Sequence, residues 1–255
     1  MSASPDYRIE AVGSSQTLPP GDIAIDAHVH LQTNMPFAQI AANFAEMAPG
    51  SLPVCLVVES DGVDRFAELK DRCEPWGALG LRDPATGIHF VAGRQVVSEE
   101  GLEVLLIGSR DMSLEGRPAE RVIEEGFANG AAVCLPWGFG KWLGRRRDLV
   151  ASLYAGLSRQ ITLGDIANRP EFWREPLFKG ARILRGSDNL PMAGSSDGVG
   201  SFGSLLKTRK PAKDAGDLVC LLRDPDVCLR PYGKRKSASA SIIEQVRLRL
   251  QGKQN

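Results

Sequence analysis

Ile23-Ala24-Ile25-Asp26-Ala27-His28-Val29-His30-Leu31 is a short apolar run that closes on two histidines one residue apart. On an extended strand, side chains at i and i+2 leave the same face, so His28 and His30 project together. Two imidazoles on one face can grip one ion, and imidazole is the commonest metal ligand among side chains. The chain has 3 histidines in all, and the pair at 28 and 30 accounts for two of them. The run therefore predicts a first strand whose C-terminal end carries metal ligands.

Working outward, Phe37, Ile40, Ala41, Phe44 and Met47 recur at helical spacing within Met35 to Ala48, and Pro49-Gly50 stops that helix. Leu52 to Val58 is a second β-rich run ending in Glu59, and Val63 to Arg72 predicts a helix with Phe66 and Leu69 on one face. Trp76 to Arg82, a turn at Asp83-Pro84-Ala85-Thr86-Gly87, Ile88 to Val97, and Leu102 to Gly108 predict a strand meander. Beyond it come a helix over Ser113 to Asn129, a strand over Ala131 to Leu135, a helix over Arg147 to Leu157 and a strand over Ile161 to Ile166. A short helix over Pro170 to Phe178 and a strand over Ala181 to Arg185, ending at Gly186-Ser187-Asp188, complete the pattern.

Outside the meander, strand alternates with helix. Parallel neighbours need such crossovers, so the expected fold class is α/β, with about seven strands in a closed or nearly closed TIM-like barrel. Residues 1 to 20, rich in Ser, Pro and Gly, read as a loosely ordered arm or an edge element leading into the first strand. Met192 to Ser204 reads as a lid or connector, and Asp217 to Leu222 and Ile242 to Leu250 as helices packed on the outside. No domain boundary stands out. The expectation is one domain over 1–255, its core at about 22–190 and a helical extension at 191–255.

The bulk properties exclude several classes. Lys plus Arg and Asp plus Glu are both 31, so no global field draws the molecule to nucleic acid or an anionic membrane. The start has no signal-peptide pattern and no apolar run approaches the ~20 residues of a membrane span, which makes the cytoplasm the expected location. The 5 cysteines lack Cys-x-x-Cys spacing, and Cys55 and Cys134 sit in apolar runs as small core residues.

In a barrel of parallel strands, functional groups gather where strands end. Glu59, Asp165 and Asp188 occupy such ends beside His28 and His30. Together they make a mixed nitrogen and oxygen set suited to zinc, manganese or iron.

Asp26-Ala27-His28-Val29-His30 and Gly186-Ser187-Asp188-Asn189-Leu190 resemble the opening His-x-His and the closing Ser-Asp-x-His of the PHP (polymerase and histidinol phosphatase) superfamily, metal-dependent phosphoesterases on a distorted seven-stranded β/α barrel. Val91-Ala92-Gly93-Arg94-Gln95 and Leu163-Gly164-Asp165-Ile166-Ala167-Asn168 are weaker matches to its Gly-x-Glu and Glu-x-x-Asn strands. The resemblance spans roughly residues 22 to 190. Three positions depart from it: Glu59-Ser60-Asp61 replaces Thr-Asp-His, Gln95 replaces a bridging carboxylate, and Leu190 replaces the closing histidine. What the resemblance implies is thus a reduced site of one or two divalent metals, held by His28, His30 and some of Glu59, Asp165 and Asp188. Amidohydrolase barrels also open with His-x-His, but they want further histidines that this chain lacks after residue 89.

Basic residues follow several strands: Arg94, Arg110, Lys141 and Arg169. Guanidinium forks suit phosphate or carboxylate, and Lys141 supplies a point charge among glycines, flanked by Trp137 and Trp142. The expected activity is metal-dependent hydrolysis of a small phosphorylated or other anionic substrate. Asp188 or Asp165 would position or deprotonate the water, Lys141 would offset charge, and Arg94, Arg110 or Arg169 would hold the phosphate. The basic runs Arg145-Arg146-Arg147 and Lys234-Arg235-Lys236 have few interleaved aromatics and argue only weakly for nucleic acid. The thinned histidine set keeps a second expectation open, a barrel that retains the fold as a binding protein without the chemistry.

Overall fold

The computed structural model describes residues 21–189, 198–208 and 212–235. The N-terminal arm, the Ile242 to Leu250 helix and the first part of the Met192 to Ser204 stretch lie outside the described residues.

The apolar opening run forms β1 (Gly21–Val29), followed by α1 (Phe37–Met47), β2 (Leu52–Val57) and a short α2 (Arg65–Glu68). The meander is β3 (Glu74–Pro75), β4 (Gly80–Arg82), β5 (His89–Val91), β6 (Gly93–Val97) and β7 (Glu103–Ile107). Then come α3 (Ala119–Ala128), β8 (Ala132–Pro136), α4 (Arg145–Leu157), β9 (Ile161–Ile166), β10 (Ile183–Gly186), β11 (Phe202–Thr208), α5 (Ala215–Arg223) and β12 (Leu229–Gly233). Three helix expectations shrink, the one over Val63 to Arg72 keeping only α2 and a 3-10 turn at Leu69–Asp71. Pro118 supplies no N–H and delays α3 to Ala119, and the segment over 170–178 keeps only a 3-10 turn at Pro176–Phe178.

The expected closed barrel is not formed. The strands divide into a seven-stranded sheet, ordered β12-β11-β1-β2-β5-β4-β3, and a five-stranded sheet, ordered β10-β9-β8-β7-β6. Only β1–β2, β2–β5, β8–β9 and β9–β10 pair in parallel; the other neighbours are antiparallel. The chain passes from β5 in one sheet to β6 in the other across Ala92 alone. At that crossing an isolated parallel bridge joins Glu59 to Arg94, and a side chain at Gly93 would stand 2.8 Å from the Val57 carbonyl oxygen. On the opposite flank β10 meets β1 by contact rather than by a ladder. A Cβ on Gly186 would lie 2.3 Å from the His28 nitrogen, so only glycine lets the two backbones approach.

The helical extension is also corrected. β11 pairs antiparallel with β1, and β12 with β11, so the chain returns to widen the first sheet. α5 does not coat the outside. Its Leu218, Val219 and Leu222 are buried with Ile25, Ile107 and Leu184, and they plug the space between the sheets. Each such side chain contributes about 1.5–3 kcal/mol by leaving water.

Helices α1 and α2 cover the outer face of the first sheet, where Ile40, Phe44 and Phe66 pack with Ala24 and Val29. Helices α3 and α4 cover the second, where Val122, Ile123 and Val150 pack with Ile161 and Leu163. Cys55 and Cys134 are core residues, as expected. Among the described residues, no helix is long and apolar enough to cross a membrane.

A candidate metal centre at the end of the first strand

The alternation that aims β1 is broken just before its end. Asp26 pairs with Cys55 and Val29 with Val57, so three steps on β1 answer two on β2. Such a bulge adds a residue, bends the strand and re-aims the side chains that follow. Ile23, Ile25 and Ala27 enter the inner core, whereas Val29 joins the outer one. Across the bulge His28 and His30 still sit together, with ring centroids 5.0 Å apart and planes tilted by 59°.

Asp188 arrives from the far side, just after β10. Its N–H donates to the His28 carbonyl at 2.9 Å, and its own carbonyl accepts from Asn168 Nδ2 at 3.3 Å. It is also the described non-glycine residue with a positive φ, 48°. That left-handed conformation costs of order 1 kcal/mol or more and recurs where a side chain is held for a purpose. Asn189 completes the clasp: its Oδ1 accepts from the His30 N–H at 2.9 Å and its Nδ2 donates to the His30 carbonyl at 2.8 Å. Below them the buried Asp26 accepts N–H groups from Ser187 at 2.7 Å and Gly200 at 2.9 Å, and burial pushes its carboxyl up to about 6.

The result is a converging trio. His28 Nε2 lies 3.5 Å and His30 Nε2 3.7 Å from Asp188 Oδ1, and the three ligand atoms fall within 4.8 Å of one another. Both nitrogen–oxygen gaps exceed a good hydrogen bond. They approach the separation of about 3.4 Å between two ligands on one tetrahedral ion with bonds near 2.1 Å. Burial holds His28 below its ordinary value against the pull of Asp188, which favours the neutral imidazole that a metal needs. Burial alone would raise Asp188, but His28, His30 and Lys141 outweigh it and hold the carboxyl well below the usual range.

The donor set of two imidazoles and a carboxylate fits a zinc-like ion, with one shortfall. Ligand histidines usually donate their second nitrogen to an acceptor, yet His28 Nδ1 is buried with no hydrogen-bond partner. Gln95 Oε1 stands instead 2.9 Å from His28 Nε2, on the ligand side of the ring. Loss of that supporting bond weakens metal affinity by a factor of roughly 10–100 in comparable sites.

A cavity of about 480 Å³ opens beside the trio, walled by His30, Asp188, Glu59, Gln95, Glu103 and Lys141 among others. Its size suits a small ligand. Glu59 faces it, but its Oε1 accepts the backbone N–H groups of Arg65 at 2.6 Å and Phe66 at 3.0 Å, at the start of α2. Burial raises its carboxyl, outweighing those hydrogen bonds. Lys141 is bonded to Glu103, and Gln95 Nε2 donates to the same Glu103 oxygen at 3.2 Å.

The remaining expected residues lie elsewhere. Asp165 shares the strand parity of Ile161 and Leu163, which face α3 and α4, and is 1 % exposed. Its carboxylate takes Arg169 at 2.8 Å and 3.2 Å, Arg235 at 2.5 Å and Arg185 at 3.7 Å. Arg94 donates to the carbonyls of Val63 and Ser60, both at 2.8 Å, and so holds the loop after β2. Arg110 pairs with Asp64 at 2.5 Å on the surface. All three expected phosphate-binding arginines therefore have protein partners.

Sequence reasoning missed Glu103, Arg65 and the clasp role of Asn189. Glu103 sits in an apolar strand, where its alternation with Leu105 and Ile107 was the available signal for an inward carboxylate. Arg65 lines the cavity while its Nη1 bonds Thr33 at 2.9 Å.

No family model matches the sequence, and no curated protein is similar to it. Among solved structures the chain is similar to PsfC from Pseudomonas syringae PB-5123, with a TM-score of 0.57, 13 % identity and coverage of 90 % of this chain and 98 % of that one. That likeness is one of fold. At a TM-score of 0.49 the neighbours include the lesion-specific endonuclease PfuEndoQ from Pyrococcus furiosus, 17 % identical over 78 % of this chain and 56 % of its own. A two-domain protein from Bacteroides vulgatus ATCC 8482, containing a predicted PHP-like metal-dependent phosphoesterase, also has a TM-score of 0.49, at 13 % identity over 83 % of this chain and 65 % of its own.

Proposed function

We propose that this chain is a metal-dependent hydrolase, a phosphoesterase of divergent PHP type, with His28, His30 and Asp188 as its metal ligands. One observation carries the reading: the three ligand atoms converge within 4.8 Å of one another, and two of the residues, His30 and Asp188, line a cavity. A divalent ion such as zinc, manganese or iron supplies a Lewis acid there and brings the pKa of water toward neutrality. The chain's own groups do the rest. Asp188, held ionised, keeps its carboxylate between the two imidazoles. Glu59, raised by burial at the same cavity, is placed to take up a proton. Lys141 and Arg65 bring positive charge to the wall, where the phosphate of a small ester would bind.

Equilibrium dialysis of the metal-stripped protein against zinc or manganese, read by elemental mass spectrometry, tests this reading. The expected result is stoichiometric metal that the double variant His28→Ala, His30→Ala loses. Hydrolysis of 4-nitrophenyl phosphate and its bis ester should then depend on added metal. Substoichiometric metal, unchanged in the double variant, sinks the proposal.

The Gln95 amide against His28 Nε2 favours a second reading, a binding protein on the same scaffold. In that case no phosphoester is cleaved at any pH, and ligand binding survives the double variant.

A further inference from the structure

We infer, building on the metal reading above, that the centre takes one ion and that the Lys141 ammonium, held by Glu103, is the second positive charge that the substrate's phosphate meets. Two-metal sites place their ions about 3.5–4 Å apart, so a second ion needs a second ligand set beside the first. Among the described residues, His28, His30 and Asp188 are the one group of three or more His, Cys, Asp or Glu whose ligand atoms converge.

Each of the two other carboxylates at the cavity already has one oxygen engaged. Glu59 Oε1 accepts two backbone N–H groups, and Glu103 Oε1 accepts from Lys141 and from Gln95 Nε2. Gln95, which touches His28, is an uncharged amide and cannot bridge two cations as a carboxylate can. The Lys141 ammonium lines the same cavity as these groups, and its repulsion works against a second metal there.

Lys141 is suited to that task. It is anchored at one point by Glu103, yet 41 % of its side chain remains exposed on the cavity wall. An ammonium has three donors, so the Glu103 contact leaves others to turn toward phosphoryl oxygens. Glu103 is then a positioning residue, and Gln95 the spacer that links it to His28 at 2.9 Å.

The test counts ions and then weighs phosphate. Metal-stripped full-length protein is dialysed against zinc and its bound metal measured; inorganic phosphate is then titrated into the zinc-loaded protein by calorimetry. One zinc per chain is expected, in the wild type and in Lys141→Met alike. Phosphate should bind roughly tenfold or more weakly to Lys141→Met, as loss of a charge-assisted hydrogen bond implies, and nearly normally to Lys141→Arg. Circular dichroism confirms that the variants fold. Two ions in the wild type overturn the inference and leave the metal reading standing, whereas no ion removes both. One ion with phosphate affinity unchanged in Lys141→Met removes the role of the lysine alone.

Discussion

Asp188 and Asp165 both stand at or just beyond the end of a strand of the second sheet, and both are surrounded by nitrogen groups, yet they do opposite work. Asp188 turns inward, keeps 3.5 Å and 3.7 Å from two imidazoles and faces a cavity. Asp165 turns outward, is 1 % exposed and is saturated by Arg169, Arg185 and Arg235. The first arrangement keeps the Asp188 oxygen beyond good hydrogen-bond distance of both imidazoles. The second spends its oxygens on tying β9 to β10 and to the residues after β12. A carboxylate at a strand end thus faces the histidine pair or becomes a structural anchor according to the face on which it emerges, and one residue of register separates the two outcomes.

The largest contrast should come from deleting each carboxylate in turn. Asp165→Ala leaves three guanidinium groups around an empty place, and removing one partner of a buried ion pair typically costs about 3–5 kcal/mol. Its urea midpoint should fall sharply, with zinc stoichiometry unchanged in the protein that remains folded. Asp188→Ala should do the reverse, losing zinc while the midpoint holds. If Asp165→Ala loses metal at unchanged stability, the comparison breaks.

Gly186→Ala attacks the seam that brings the two regions together. Its new methyl would lie 2.3 Å from the His28 nitrogen, and overpacking of that kind costs about 1–3 kcal/mol. β10 must back away from β1, so zinc affinity should drop along with stability. Unchanged zinc affinity would show that the trio does not depend on this contact.

The third histidine sharpens the comparison from outside the site. His89 is buried edge-on against Trp76 at 4.6 Å, and burial, with the charge of Arg82, pushes it down to about 4. The unfolded chain takes up a proton near pH 6.5 and the folded chain only near 4, so stability is full above 6.5 and is lost as pH falls between those values. Between pH 7.5 and 5 the loss is about 2 kcal/mol. Chemical denaturation at the two pH values should show this difference in the wild type and a smaller one in His89→Phe. An equal difference in both proteins would assign the pH dependence to other groups.

Arg110→Ala should have the smallest effect. Its pair with Asp64 is exposed on both sides, and such pairs contribute about 0–1 kcal/mol. A loss of zinc or of phosphate binding in this variant would return Arg110 to the site.

Much of the local structure was legible in the chain. The alternation of Ile23, Ile25 and Ala27 marks a strand, the spacing of Phe37, Ile40 and Phe44 marks a helix, and the spacing of His28 and His30 brings two imidazoles together. These signals are local, because they depend on the period of a strand or a helix. The two-sheet architecture was not legible in the same way. Nothing local distinguishes a strand that ladders to its neighbour from one that meets it through a glycine, as β10 meets β1 at Gly186. Nor does an apolar helix such as α5 announce whether it will coat a sheet or plug the space between two.

By itself, then, the sequence determined the α/β elements, the histidine pair and the reduced set of partners open to it. Tertiary structure alone decided which carboxylate joined that pair. Asp188 reaches His28 and His30 across 158–160 residues of chain because a glycine seam, a bulge in β1 and an Asn189 clasp bring two strand ends together. Asp165, equally well placed in sequence, emerges on the other face of its sheet and is paired before any ion could meet it. Side-chain chemistry is written residue by residue, but convergence depends on register and contact between distant segments, which the folded chain alone sets.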